Sequence, residues 1–365
     1  MARRSFDGIV KAVLPENGEP IMFVGERPGP DEEFWGVPQI GSSAFSVFYP
    51  LLEVAGLSKD RVGITNVFSR RPPDDALGAW LVPKDEVGDV PAGFEDWAKA
   101  ALEPGGYLPG AMFGELERLR SEIEQYKPNL VVTLGGVALW AMCCQATVGK
   151  ARGAVLPSLL VPGVKVIPTY NPAYVARSWE KAFIPALFDF IKAVGEMGDK
   201  EIRRPVREVW VDPSVADLQV FKQRYLDPAP IISFDVETTS RFDGVLKCLG
   251  FSGDTEHALV VPFYDATAQD YTYWRTAAHE RQARDFCASV LEGPQPKLGH
   301  NGLYDVQWVW RKLGIRVRNY LHDTMLLHHA KYLELPKDLG TLGSIYTNEG
   351  AWKNMTRNEK FAREK

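Results

Sequence analysis

Short apolar runs alternate along this chain with stretches of helical periodicity, and that alternation restricts it to α/β architecture. Residues 20–25 (Pro-Ile-Met-Phe-Val-Gly) predict a buried strand that closes in a Gly-rich turn. Residues 62–68, 130–134 and 164–169 predict three more strands, and helices are expected over 43–56, 113–126 and about 174–194. Residues 74–110, rich in Pro, Gly and Asp, read as a long loop or insertion. The pattern is that of a three-layer α/β/α domain with a mainly parallel sheet. A charged stretch from Met197 to Pro205 then reads as a linker. Beyond it, strands are expected at 207–211, 231–236, 245–252 and 257–263, with helices at 214–225, 275–291, 303–313 and 322–332. This predicts a second α/β domain with a mixed sheet. The expected division is 1–198 and 203–365, and 365 residues suit two domains.

Composition narrows the function classes. No run of 18 apolar residues occurs, so no membrane span is expected, and the basic start lacks the apolar stretch of a secretory signal. The four cysteines (Cys143, Cys144, Cys248, Cys287) show neither Cys-x-x-Cys spacing nor a zinc pattern, which fits free thiols in a reducing cytoplasm. A net charge of −5 gives no bulk support to nucleic-acid binding, so that role would rest on local basic pairs such as Arg70-Arg71 or Arg203-Arg204. Such pairs are more often solvated surface. All six histidines lie between 257 and 329, so the first 256 residues have no histidine chemistry of their own.

The strand Ile231-Ile232-Ser233-Phe234-Asp235-Val236-Glu237 carries Asp-x-Glu, which puts both carboxylates on one face. Alone, the pair reads equally as a solvated strand end. With a hard cation such as Mg²⁺ or Mn²⁺ between them, the acids become ligands, and two such ions ~3.5–4 Å apart can hold both oxygens of a phosphodiester displacement. The pair does not stand alone. Gly299-His300-Asn301-Gly302-Leu303-Tyr304-Asp305 offers a third carboxylate at a loop-to-helix junction, and Asp323-Thr324 fits a helix start, with Asp323 a cap rather than a ligand. Trp308 and Trp310 read as helix core sooner than as stacking platforms for bases.

On these residues, the segment from about 207 to 358 resembles the DEDD-type 3′→5′ exonuclease domain of family-A DNA polymerases. Asp235 and Glu237 match its first motif, Asn301 and Asp305 its second, and Asp323-Thr324-Met325-Leu326 with Leu339-Gly340-Thr341-Leu342 also match. The resemblance implies a ribonuclease-H-like fold, Mg²⁺ or Mn²⁺ on Asp235, Glu237 and Asp305, and DNA contact at Asn301. Its third motif, Tyr-x-x-x-Asp, should lie just beyond Trp352-Lys353 and is not found after residue 305. A C-terminally incomplete domain, a fourth acid from another chain, or an impaired site is therefore expected.

In the first half, three strand ends carry Glu26, Asn66 and Asn171, at the edge where α/β folds bind ligands. An Asn amide can pair with a nucleobase edge. Here the chain, over roughly 20–194, resembles the uracil-DNA glycosylase superfamily, most closely its family-four enzymes. Gly25-Glu26-x-Pro28-Gly29, Gly36-x-Pro38-x-x-Gly41, Asn66 with Arg71-Pro72-Pro73, and Asn171-Pro172-Ala173 carry the resemblance. It implies Glu26 and Asn171 as catalytic and Gly25, Gly29, Gln39 and Asn66 as base-binding, while Arg70 and Arg71 are candidate DNA contacts as a basic pair. Three departures stand out. Gln39 replaces a stacking Phe, Asn171 replaces a His, and the cysteines of the family-four iron–sulfur cluster are absent. Arg70 and Glu115 occupy two of those positions as a candidate ion pair, and no cluster is expected.

The combined expectation is a DNA-processing enzyme of replication or repair, in a bacterial or bacteriophage-infected cell. It would act on single strands or 3′ ends, with a DNA polymerase as a candidate partner. The rivals are a non-catalytic DNA-binding replication accessory and the front part of a family-A polymerase.

Overall fold

The computed structural model describes residues 8–203, 206–240 and 244–347. Arg204 and the segment beyond Trp352, where the third exonuclease motif was expected, lie outside the described residues. The chain forms two compact units, Met1–Arg203 with Gly340–Lys365, and Arg204–Leu339.

The first unit runs β1 (Ile21–Gly25), α1 (Pro30–Trp35), α2 (Tyr49–Val54), β2 (Gly63–Asn66), α3 (Glu95–Lys99), α4 (Gly114–Tyr126), β3 (Leu130–Leu134), α5 (Gly136–Cys143), α6 (Val148–Ala151), β4 (Leu156–Pro157), β5 (Lys165–Thr169), α7 (Pro172–Arg177) and α8 (Trp179–Glu196). Its sheet has the order β2-β1-β3-β5-β4, parallel except for the short β4. Every residue of β1, β2, β3 and β5 is buried, because helices cover both faces. Met22, Val24, Val131 and Val166 pack on one side with α4 and α5. Ile21, Phe23, Val132 and Ile167 pack on the other with α2 and α8. The expected loop at 74–110 is an insertion with its own anchors: Phe94, Trp97, Leu102 and Leu108 enter the first of these cores.

The second unit runs β6 (Glu208–Trp210), α9 (Val215–Phe221), β7 (Ile232–Thr238), β8 (Leu246–Ser252), β9 (His257–Pro262), α10 (Ala277–Leu291), β10 (Lys297–Gly299), α11 (Leu303–Leu313), β11 (Tyr320–Asp323) and α12 (Thr324–Lys331). Its mixed sheet has the order β11-β10-β7-β8-β9-β6, with β7, β8 and β9 antiparallel and the remaining pairings parallel. A central antiparallel trio flanked by parallel strands is the ribonuclease-H-like arrangement. Ile232, Phe234 and Val236 turn into the core, while Asp235 and Glu237 on the opposite face are exposed.

The last described helix, α13 (Leu339–Tyr346), differs from expectation: residues 340–347 cluster with the first unit. The reason is polar. Arg152 Nη1 donates to Ser344 Oγ at 2.8 Å, and Lys192 Nζ donates to the carbonyls of Ser344 and Thr347. A lysine ammonium thereby satisfies carbonyls at the end of α13 that have no intrahelical partner.

Candidate active sites

In the first unit, the carboxyl ends of β1, β2 and β5 deliver Glu26, Asn66 and Asn171 to one edge of the sheet. Glu26, Gly29, Gln39 and Asn171 line a cavity of about 480 Å³, together with Arg27, Glu32 and Arg177. Burial raises the Glu26 carboxyl above its ordinary range, and the Arg27 guanidinium opposes the shift, with Nε 3.2 Å from Glu26 Oε1. Asn171 is the N-cap of α7. Its Oδ1 accepts from Ala173 N at 2.9 Å, which leaves the Nδ2 donor for another partner. Gly135, at φ +105°, makes room for it, since a Cβ there would stand 3.1 Å from the Asn171 Cβ.

Asn66 is 3% exposed; its Oδ1 has no hydrogen-bond partner among the described residues, and its Nδ2 makes no well-formed bond but lies close enough to Glu32 to favour that carboxylate's charged form. Gly25 explains how it fits: a Cβ there would collide with the Asn66 amide and lie 2.8 Å from Gln39 Nε2. The two amides therefore share the space over Gly25, and Gln39 is the one that reaches the cavity. Gln39 is held in left-handed conformation, at φ 55°. Its N–H donates to Glu32 Oε1, and its carbonyl accepts from Tyr49 Oη at 2.5 Å. Glu32, 7% exposed, also accepts from Gly29 N, so one buried carboxylate ties the start of α1 to the Gln39 turn. Sequence reasoning did not single out Glu32. Its signal was a helix-start acid three residues after Gly29.

The two arginines expected to touch DNA differ. Arg71 is engaged with Asp75 at 3.0 Å and Glu33 at 3.5 Å. Arg70 is exposed and pairs with no carboxylate among the described residues. The candidate Arg70–Glu115 ion pair is not formed. Glu115 accepts from Ser69 N at 3.0 Å and Ser69 Oγ at 2.8 Å, and its cationic partner is Arg118, at 2.9 Å one helical turn along α4. The geometry decides this, because residues three apart on a helix face each other.

In the second unit, Asp235 and Glu237 share the exposed face of β7, and Asp305 comes to them from the first turn of α11. Asp305 is buried, and its Oδ1 accepts from Val236 N at 2.9 Å. Burial lifts the Asp235 carboxyl, and the charge of Glu237 adds to the shift. Asp305 is pushed up to about 6, by burial first and by Asp235 and Asp323 as well, against the Val236 hydrogen bond. The acids are thus electrostatically coupled, and none of the three forms an ion pair among the described residues. Their donor chemistry suits a hard divalent cation. As they stand, however, no three His, Cys, Asp or Glu side chains among the described residues converge to hold a metal ion. Asp323 is the N-cap of α12, as its Asp–Thr pairing predicted. Oδ1 accepts from Met325 N and Asn301 N, and Oδ2 accepts from Gly302 N and Tyr320 Oη. Asn301 is exposed at φ 57° beside these acids. Trp308 is core at 4% exposure, whereas Trp310 is exposed.

Residues 13–194 match the model of the uracil DNA glycosylase superfamily. The first domain is a member of that superfamily. Among curated relatives, the type-4 uracil-DNA glycosylase of Thermotoga maritima is 29% identical over 160 residues, 43% of this chain and 67% of that protein. The type-4 uracil-DNA glycosylase of Saccharolobus solfataricus is 28% identical over 160 residues, 42% of this chain and 60% of its own length. Of solved structures, the catalytic core of RRP6 from Trypanosoma brucei overlaps with a TM-score of 0.30 at 17% identity, covering 40% of this chain and 38% of that one. NrnC of Brucella melitensis, with bound Mg²⁺, overlaps with a TM-score of 0.27 at 13% identity, covering 39% and 61%. These overlaps are slight, and the chemistry of the second unit rests on its own geometry.

The glycosylase domain does not fit a family-four iron–sulfur cluster. Arg70 is exposed, and Glu115 is spent on Ser69 and Arg118. The nearest thiols in sequence, Cys143 and Cys144, are adjacent at the end of α5 and are both pushed up to about 12 by burial.

Proposed function

We propose that this chain processes DNA by two separate chemistries, with base excision in the glycosylase domain as the primary one. The observation that carries this reading is the buried Asn66 amide, whose Oδ1 is unpaired and whose Nδ2 makes no well-formed bond, set beside a cavity that holds Glu26 and Asn171. An incompletely paired buried amide is costly, so it belongs with a ligand that offers a matching donor and acceptor, as a nucleobase edge does. A flipped base would displace the Gln39 amide and meet Asn66. Glu26, partly desolvated, would take a proton from a water whose oxygen bonds to the sugar carbon as the N-glycosidic bond breaks. The bonding pair leaves with the base, where the free Nδ2 of Asn171 donates to a base oxygen. A uracil-containing single strand, treated with the protein and then with alkali, should break at uracil, and an intact strand would refute the reading.

For the second unit the reading is a metal-dependent 3′→5′ nuclease, motivated by Asp235 and Glu237 on the exposed face of a ribonuclease-H-like sheet and by Asp305 on α11, whose charge couples to Asp235. Asp235, Glu237 and Asp305 would hold Mg²⁺ or Mn²⁺, which supplies Lewis-acid stabilisation of the displaced oxygen. A 3′-labelled single strand should shorten with either ion. Silence in both assays would favour a DNA-binding accessory that recruits a polymerase. No helix among the described residues is long and apolar enough to cross a membrane, and we place the protein in replication or repair in the bacterial or phage-infected cytoplasm.

A further inference from the structure

The end of β2 has a problem of its own. β2 is the edge strand of its sheet, so the carbonyls of Asn66 and Val67 find no neighbouring strand on the outer side. On the inner side the pairing continues past the strand. Val67 N donates to Gly25 O at 2.9 Å and Phe68 N to Glu26 O at 3.1 Å, so the Asn66 and Glu26 backbones move together.

On the outer side the segment before β1 bridges to Ile64 at Val13 and Val10 N donates to Ser69 O at 2.8 Å, and one guanidinium fills the gap between these contacts. Arg118 Nη2 donates to Asn66 O and to Val67 O, each at 2.7 Å. Its Nη1 donates to Glu122 Oε1 at 2.7 Å and its Nε to Glu115 Oε2 at 2.9 Å, so both flanking turns of α4 hold it. The two carboxylates return to the β2 segment: Glu122 accepts from Thr65 Oγ1 at 2.7 Å, and Glu115 accepts from Ser69 N and Oγ. Residues 65, 66, 67 and 69 are thus fixed to one helix through a single planar fork. Lysine cannot reproduce this, because its point-like ammonium lacks the divergent donors.

We propose that Arg118, clamped by Glu115 and Glu122, is the positioning residue that sets the Asn66 amide, and through the paired β1 end the Glu26 carboxylate, for base recognition. This rests on the excision reading above. Glu115 stands at one of the positions where the family-four resemblance would call for a cysteine, so a charged network here fastens the segment. Arg118 does not line the cavity and acts only through Asn66 and its neighbours.

The test is a double-substitution cycle on the full chain, read by single-turnover cleavage of a uracil-containing single strand. Arg118→Lys should lower the maximal rate on the order of 100-fold, the cost of misplacing a recognition group, while affinity for an undamaged strand stays unchanged. In an Asn66→Ala background the same substitution should cost clearly less, on the order of 10-fold or below, because the Asn66 route is already lost and only the Glu26 route remains. Equal, additive losses in both backgrounds would overturn the proposal and assign Arg118 to general stability. If the wild-type protein does not cleave uracil, the excision reading fails by itself, and the clamp is read by hydrogen exchange. Arg118→Lys and Glu115→Gln should then speed amide exchange in residues 65–69 while leaving β3 unchanged. Unchanged or uniformly faster exchange would overturn the clamp.

Discussion

The two units treat their carboxylates in opposite ways. In the glycosylase domain most acids around the site have a cation or backbone donors: Glu26 beside Arg27, Asp75 on Arg27 and Arg71, Glu115 and Glu122 on Arg118, and Glu32 on two backbone N–H groups. In the second unit Asp235 lies between the charges of Glu237 and Asp305, and burial and these like charges raise Asp235 and Asp305. The first arrangement is organised by the chain alone. The second holds like-charge repulsion that a bound cation would relieve, so the same residue types serve two chemistries through their surroundings.

The sharpest way to break this contrast is to cross the two sites. Glu26→Gln should lower uracil excision by about 10³-fold and leave 3′ shortening intact, whereas Asp235→Ala should abolish shortening and leave excision intact. Either substitution reducing both activities would mean that the sites are not independent. A milder intervention is chelation: EDTA should stop shortening of a 3′-labelled strand and leave excision at its original rate, and an excision rate that follows the metal would contradict the self-sufficient first site.

Stability against pH sharpens the comparison further. In the folded, metal-free chain Asp305 titrates near 6, against about 3.9 for an unperturbed Asp. Between those values the folded state binds the extra proton, so the protonated carboxyl favours folding fully below about pH 4, and that benefit is lost as pH climbs through 6. Asp305→Asn stays neutral and can still accept from Val236 N. In chelator it should raise the melting temperature by about 2–4 °C at pH 7 and change nothing at pH 4. An equal gain at both values would remove ionisation as the cause. The smallest effect concerns the arginine pair. Arg70→Ala should reduce the salt dependence of single-strand binding by about one phosphate contact, while Arg71→Ala, already held by Asp75 and Glu33, should leave it unchanged.

Much of the fold was legible because its strongest signals are local. The run Leu130–Leu134 is a strand to the residue, and the helix expected at 303–313 is α11, Leu303–Leu313. What escaped was structure that local pattern argues against. β10 begins at Lys297, which is fully buried, and a lysine inside a sheet breaks any apolar template. Its Nζ is satisfied by the carbonyls of Gly293 and Gln295, contacts that no periodicity encodes. The helix expected over 322–332 starts as the strand β11 and becomes helical only at Thr324, where Asp323 caps it. Residues 340–347 were given to the second domain on the strength of a motif, yet Arg152 and Lys192 draw them to the first.

The chain order by itself determined the α/β class and the placement of Glu26, Asn66 and Asn171 at strand ends and of Asp235 and Glu237 on one strand face, since strand ends and same-face spacing follow from the backbone period. Tertiary structure alone decided their states. Asn66 kept an unpaired Oδ1 because Gln39 and Gly25 enclose it. Asn171 kept one free donor because its oxygen caps a helix, and Asp305 rose toward 6 because folding buries it among other acids. Arg118 gained its place at Asn66 for the same reason. A guanidinium forty or more residues away in sequence finds two edge carbonyls only when the sheet and α4 have packed, and burial and long-range hydrogen bonding are properties of that packing.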